Sequence, residues 1–164
     1  MPFDAFLKVA TVPGESTDDK HKEWIEVLSF SWGVSQMKGG TTSATGSHAG
    51  QRADFADFSV VHSIDKASPK LAHACASGEH IKDVTLELCK AGGDKQKYMV
   101  YKMSDVLVSG VRPGGSSQGG DALPLEEVSF SYGKVEMEYT VIDAKGKPAG
   151  TVPTGWDLAK NAKV

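Results

Sequence analysis

Only two cysteines, Cys75 and Cys89, occur in the 164 residues. That is too few for the disulfide framework of a small secreted domain, so a reduced thiol pair is expected. A surplus of one charge is missing as well. Lys and Arg number 18 against 21 Asp and Glu, a formal net charge of -3, which provides no basic field to gather nucleic acid or an anionic membrane. No apolar run approaches the roughly 18 residues that suit a spanning helix. The first residues, MPFDAFLKVA, place Asp4 ahead of any basic segment, so a cleavable Sec-type leader is not expected. What the chain does have is glycine, 18 of 164 or about 11%, against about 7% on average. With 40% hydrophobic and 24% charged residues, the composition is that of one globular domain over 1–164 with many turns.

Period-2 alternation dominates. In 24–34, Trp24, Leu28, Phe30, Trp32 and Val34 share one strand face, with Ile25, Val27, Ser29, Ser31 and Gly33 on the other. In 134–141, Val135, Met137, Tyr139 and Val141 alternate with Lys134, Glu136, Glu138 and Thr140. Strands are also predicted over 3–9, 58–64, 81–90 and 98–111, and over 126–132 running into the later strand. Strands joined by short glycine-containing turns predict a mainly β domain, an antiparallel sandwich or barrel.

One helix interrupts the strands. Asp65 and Ser68 are its candidate N-caps, Pro69 fits a first turn, Leu71, Ala74 and Cys75 form its buried stripe, and Gly78 suits the left-handed position after its end. A short echo links Ser29-Phe30-Ser31-Trp32-Gly33 to Ser129-Phe130-Ser131-Tyr132-Gly133. It reads as two equivalent bent strands or as chance, and the apolar phase changes after Gly133 as a bulge there would produce. Residues 36–53 have little to bury and form a long excursion, 112–121 are a second, and the tail 150–164 is either a docked strand or a frayed end.

Catalytic motifs fail on context. Gly115-Ser116-Ser117-Gln118-Gly119 matches G-x-S-x-G, but the chain leads towards a strand rather than the helix a nucleophile elbow needs. The glycines also resemble a phosphate loop, but Gly120-Asp121 stands where a Lys-Ser/Thr pair would be required. His73 and Cys75 point about 200° apart on a helix, and His80 lies beyond its end, so no tetrahedral metal site forms. The neighbouring carboxylates Asp18-Asp19 and Glu126-Glu127 do not converge as an acid/base pair. Neither an enzyme nor a cofactor or metal is expected.

Several blocks carry a more specific signal. Gly14-Glu15-Ser16, the run from Glu26 to Gln36, Ile64-Asp65-Lys66-Ala67-Ser68-Pro69-Lys70-Leu71, Lys90-Ala91-Gly92-Gly93, Val106-Leu107-Val108-Ser109 and Gly155-Trp156 resemble the hemolysin-coregulated (Hcp) proteins of bacterial type VI secretion systems. The likeness runs from near Phe3 to Trp156 and is weakest in 37–51 and after Ala144. It implies a compact β-barrel of two antiparallel sheets with one short α-helix on its side, assembled as a hexameric ring. It further implies rings stacked into a phage tail-tube-like inner tube that a contractile sheath propels, with a spike protein at the tip and a baseplate at the foot. Small effector proteins would travel in the lumen, and neither nucleic acid nor membrane insertion is expected. The protein would be cytoplasmic before firing and then secreted or delivered to a target cell, without a cleavable signal peptide.

The resemblance also gives the residues roles. The small polar face of Ser29 and Ser31 would border the lumen, with Ser31 as the leading effector contact; the competing reading is ordinary solvated or oligomer-contact surface. The 36–53 loop, including Lys38, Gly39, Gly40, His48 and Arg52, resembles the protruding loop that meets a neighbouring ring. Two other function classes compete: a monomeric secreted β-sandwich binding module, and a small hydrolase using Ser117 with His48 or His62.

Overall fold

The computed structural model describes residues 2–36, 52–92, 94–120 and 123–164. Among them the strands are β1 (Phe3–Val9), β2 (Ile25–Val27), β3 (Ser29–Ser31), β4 (Val34–Ser35), β5 (Asp54–Phe55), β6 (Phe58–Ser63), β7 (Ile81–Lys90), β8 (Lys97–Gly114), β9 (Leu125–Ile142), β10 (Pro148–Asp157) and β11 (Ala162–Lys163); α1 (Ser68–Ser77) lies between β6 and β7. Nine strands form one antiparallel sheet in the order β11-β10-β9-β8-β7-β1-β2, with β6 added to β9 and β3 to β6. β4 and β5 pair separately. The long strands β8 and β9 make two sheets of one: their first-and-last halves pair with β7 and β10, and the start of β9 pairs with β6.

Closure comes from the segment predicted as one strand over 24–34. It is broken at Leu28: β2 pairs with β1, and β3 pairs with β6. The burial phase changes at the same residue. Ile25 and Val27 are buried, Leu28 is 60% exposed, and Phe30 and Trp32 turn inward. The single greasy face expected from alternation is therefore two faces joined at a step. The step lets one piece of chain pair with both halves of the sheet, and the Leu28 amide donates to the Val61 carbonyl at 2.8 Å to hold the turn.

The phase change expected near Gly133 is present, with a different cause. Met103 and Val106 on β8 are buried, as are Val135 and Tyr132 on β9, so both strands skip a position together. The pairs Ser104↔Lys134 and Val106↔Tyr132 keep one register across the skip. Asp105 takes a positive φ of 53° and sits beside Gly133, where an added Cβ would come within 3.1 Å of its carboxylate. The register shift lies further on, between Val108 and Gly110.

The core is filled by Phe58, Phe130, Leu7, Ile25, Leu71, Leu86 and Met103. α1 packs on β8 through Leu71 and Ala74. Cys75 is only partly buried, a narrower stripe than expected. Among the described residues no side chain caps the first turn directly. Asp65 Oδ1 instead accepts from the Ala67 amide at 2.9 Å, while Ser68 Oγ accepts from the Asp65 amide at 3.1 Å. Gly78 has φ 67°, the left-handed stop that glycine adopts without a Cβ penalty. The tail is docked: β10 runs along β9, and β11 folds back onto β10. Cys89 is buried, and that burial, with Glu87 nearby, pushes its thiol up to about 11, so it serves as packing.

The β1–β2 connection is stapled by charge. Buried His21 stacks on Phe6 and lies 2.7 Å from Asp18 Oδ2 and 3.0 Å from Glu87 Oε1. Lys95 Nζ reaches Asp18 Oδ1 at 2.8 Å. The hydrogen bond from Lys95, followed by that from His21, lowers the Asp18 carboxyl from 3.8 to about 2. A depressed carboxyl contributes stability above its unfolded value and loses it as pH falls through its folded one. Asp18→Asn should therefore lower the urea midpoint at pH 6, and the deficit should shrink between about pH 4 and pH 2. An equal deficit at both ends of that window would refute the charge-based staple.

Candidate functional site

Ser29 and Ser31 lie exposed on the outer face of β3. Strand register extends this face well beyond them. Ser31 pairs with Ser59 on β6, and Ser59 pairs with Ser129 on β9. Directly paired residues project to the same face, so three hydroxyls stand in line across three strands. The register shift on β8 adds a fourth: Ser109 Oγ is 3.0 Å from Ser129 Oγ and donates to Asp57 Oδ2 at 2.7 Å. Ser29, Ser63 and Ser131 occupy the same outer face on neighbouring rows, with Glu127 and its partner Arg112 at one side. The result is a row of hydroxyls that hydrogen-bonds to water, with the half-buried Val61 and Leu107 on the neighbouring rows of the same face.

Behind the band stands an aromatic layer that fixes the strands. Phe30 stacks on Phe58 with centroids 6.0 Å apart, and Tyr101 lies 5.4 Å from Phe58 and 5.8 Å from Trp32. The Trp32 indole N–H donates to Tyr132 Oη, which donates to the Ala56 carbonyl at 2.8 Å. The two copies of the sequence echo therefore flank the same strand, β6, and their last aromatics, Trp32 and Tyr132, touch. The serines that alternation in 24–34 alone did not reveal, Ser59, Ser109 and Ser129, were signalled in part by that echo, which contains Ser129. Only pairing could place Ser59 between its copies.

A second exposed feature lies on the other half of the sheet. Val135 and Met103 point into the core, and the same face continues along β8, β9 and β10 through the aligned residues Met99, Tyr139 and Val152. Tyr139 is 46% and Val152 61% exposed, with Val141 exposed two residues further along β9, while Met99 is half-buried against the core. The alternation of 134–141 is thus correct in phase, while its outer half is uncovered in the single chain.

The remaining expected sites fall apart or lie elsewhere. Lys38, Gly39, Gly40 and His48 are outside the described residues. Arg52 is exposed, and its guanidinium donates to the Leu158 carbonyl. β4 and β5 form a short ribbon on the two sides of 36–53. Ser117 lies in the exposed β8–β9 connection, whereas His62 is buried between Glu126 and Asp65, so the two cannot form a nucleophile–base pair. His73 is exposed, and His80 pairs with Asp105 at 3.1 Å. Among the described residues, no three His, Cys, Asp or Glu side chains converge on a metal position, and no helix is long and apolar enough to cross a membrane.

A family model described as type VI secretion system effector, Hcp, matches residues 6–139. Protein hcp1 of Pseudomonas aeruginosa is 38% identical over 165 residues, covering 99% of both chains. The chain belongs to the Hcp family. A solved type six secretion system protein superposes with a TM-score of 0.92 at 39% identity, covering 99% of this chain and all of the other. Hcp1 from Salmonella typhimurium gives 0.81 at 36% identity, with 99% and 100% covered. As an Hcp protein, the chain is a structural secretion-system protein and a tube component, in a family not known for enzymes.

The blocks that carry the Hcp resemblance coincide with joints of the fold. An added Cβ on Gly14 would meet the Trp24 carbonyl oxygen at 2.5 Å, and Ser16 is buried beside it. Glu15 accepts from the Lys66 amide at 3.1 Å, joining the first block to the third. The Glu26–Gln36 block contains the Leu28 step, Lys90–Gly92 opens the β7–β8 hairpin, and Val106–Ser109 runs from the kink to the register shift.

Proposed function

We propose that this Hcp protein forms a hexameric ring whose serine band lines the channel, that the rings stack into the tube, and that small effector proteins of the secretion system ride against Ser31, Ser59 and Ser129. The observation that carries the reading is the aligned row of hydroxyls. A wall of short, neutral, hydrogen-bonding groups holds a hydrated cargo through many weak contacts and leaves it free to depart. The exposed Tyr139 and Val152, aligned beside the half-buried Met99, support an oligomer, since apolar residues left on a sheet face favour coverage by a second copy. Spike, sheath and baseplate are the proposed partners of the assembled tube. Arg52 and the loop residues Lys38, Gly39, Gly40 and His48 are proposed to meet the neighbouring ring. Delivery would proceed from the cytoplasm to the outside of the cell.

Solution mass by light scattering, with negative-stain images of the same peak, tests the ring: particles of six chains are expected, and a clean monomer would refute it. Ser31→Arg and Ser59→Arg test the wall. Both should leave the ring mass unchanged and reduce recovery of a co-expressed effector by about tenfold, as loss of about 1.4 kcal/mol would do. Undiminished recovery with intact rings would remove the band from cargo binding.

A further inference from the structure

His62 on β6 and Glu126 on β9 face each other across paired strands, 1% and 3% exposed, with Nε2 and Oε1 2.9 Å apart. The other ring nitrogen, Nδ1, is buried, has no hydrogen-bond partner among the described residues and lies 3.8 Å from Asp65 Oδ2. Asp65 is the residue whose other oxygen holds the amide of Ala67 at the start of α1. Beyond Asp65, Glu15 and Glu26 line the same shallow cleft with Ser63, while Glu15 accepts from the Lys66 amide. From β8 the residue opposite Glu126 is Pro113, which brings no charge. The groups facing His62 are thus carboxylates from β9 and from the β6–α1 turn, with two more carboxylates at the rim.

A buried carboxylate without a counter-charge is costly, and removing the proton from such a pair leaves that situation here. One further proton held among the three groups makes the ring cationic between Glu126 and Asp65 and gives Nδ1 an N–H to present to Asp65. We propose that His62, Glu126 and Asp65 form a proton-operated latch that holds the start of α1 on the barrel and loosens when the proton is lost. The proton belongs to the cluster rather than to one residue. Burial, reinforced by Glu15 and Glu126, pushes the Asp65 carboxyl above its ordinary value.

The direction follows from linkage. If the docked state binds a proton that the open state releases, docking weakens as pH rises, by up to tenfold per pH unit for one full proton. Ordinary histidine releases its proton near pH 6.5, so the open state sets the lower edge of the window at about pH 6. The staple at Asp18 responds to acid below about pH 4 and does not overlap.

The test is hydrogen exchange by mass spectrometry on the full chain at pH 6 and pH 8.5, corrected for the intrinsic pH dependence of exchange. The α1 peptide is compared with the β1 and β7 peptides of the same sample. Opening of α1 relative to those strands should rise about tenfold or more in the wild-type protein. In Glu126→Gln, which keeps an acceptor for His62 without the charge, the ratio should stay flat. If that variant fails to accumulate, Asp65→Asn, whose amide oxygen can still accept from Ala67, should flatten the ratio too. A flat ratio in the wild-type protein, or an undiminished rise in the variant, would overturn the latch.

Discussion

Truncating Phe58 to alanine should cost about 3–5 kcal/mol, as removal of a buried aromatic does. The side chain is fully buried, and it is the hub on which Phe30, Trp32 and Tyr101 rest. A domain of this size has about 5–15 kcal/mol in total, so the variant should approach the edge of folding at room temperature. Phe58 also sits next to Ser59, at the centre of the hydroxyl row. Losing it should blur that wall before the whole barrel opens. Denaturant unfolding at fixed protein concentration measures the cost, and the near-ultraviolet signal of the aromatic layer reports the local loss. A cost below about 1 kcal/mol would mean that the layer closes over the gap and does not organise the strands.

If the proposed hexameric ring closes through this strip, Val152→Asp should convert rings to single chains while leaving the barrel folded. Val152 is largely exposed in the single chain and aligned with Tyr139 and Met99, so a carboxylate there costs the monomer little. In an assembled ring the same carboxylate would be buried without a partner, at several kcal/mol in each of the six contacts. Light scattering should show the mass of one chain, and circular dichroism an unchanged β signal. Tyr139→Asp should act in the same way. Persistence of the ring mass in both variants would place the protomer contact elsewhere on the barrel.

Much of this fold was legible because its long strands alternate. β1 and β7 have the predicted limits, and the helix was marked by Pro69 in its first turn and Gly78 after its last. Alternation failed where a strand changes partners. Between Val27 and Leu28 nothing in residue type announces that the chain leaves β1 for β6, since apolar residues stand on both sides of the step. The kink at Asp105 was similarly hidden, because a matched skip in two strands is visible only when both are seen together. Ser29 and Ser31 were found as a small polar face; Ser59 and Ser109 were not, because their alignment depends on pairings between residues far apart in sequence. His62 read as a candidate base by type alone, and only its burial against Glu126 gives it another role.

The step at Leu28 also sets how the barrel yields to load. Hydrogen-bonded seams unzip one rung at a time from a free edge, but here the seam between the two halves is spanned by the peptide chain itself. A sideways pull on that seam is borne by covalent bonds and reaches the β1–β2 and β3–β6 rungs together, as shear along several pairs at once. In the hydrogen-bonded order β11 ends one side and β2 the other, with β3 ending the branch through β6, so the Leu28 step joins two edge strands through the chain itself. Fraying that starts at β11, the far end of the path, therefore leaves this covalent closure in place.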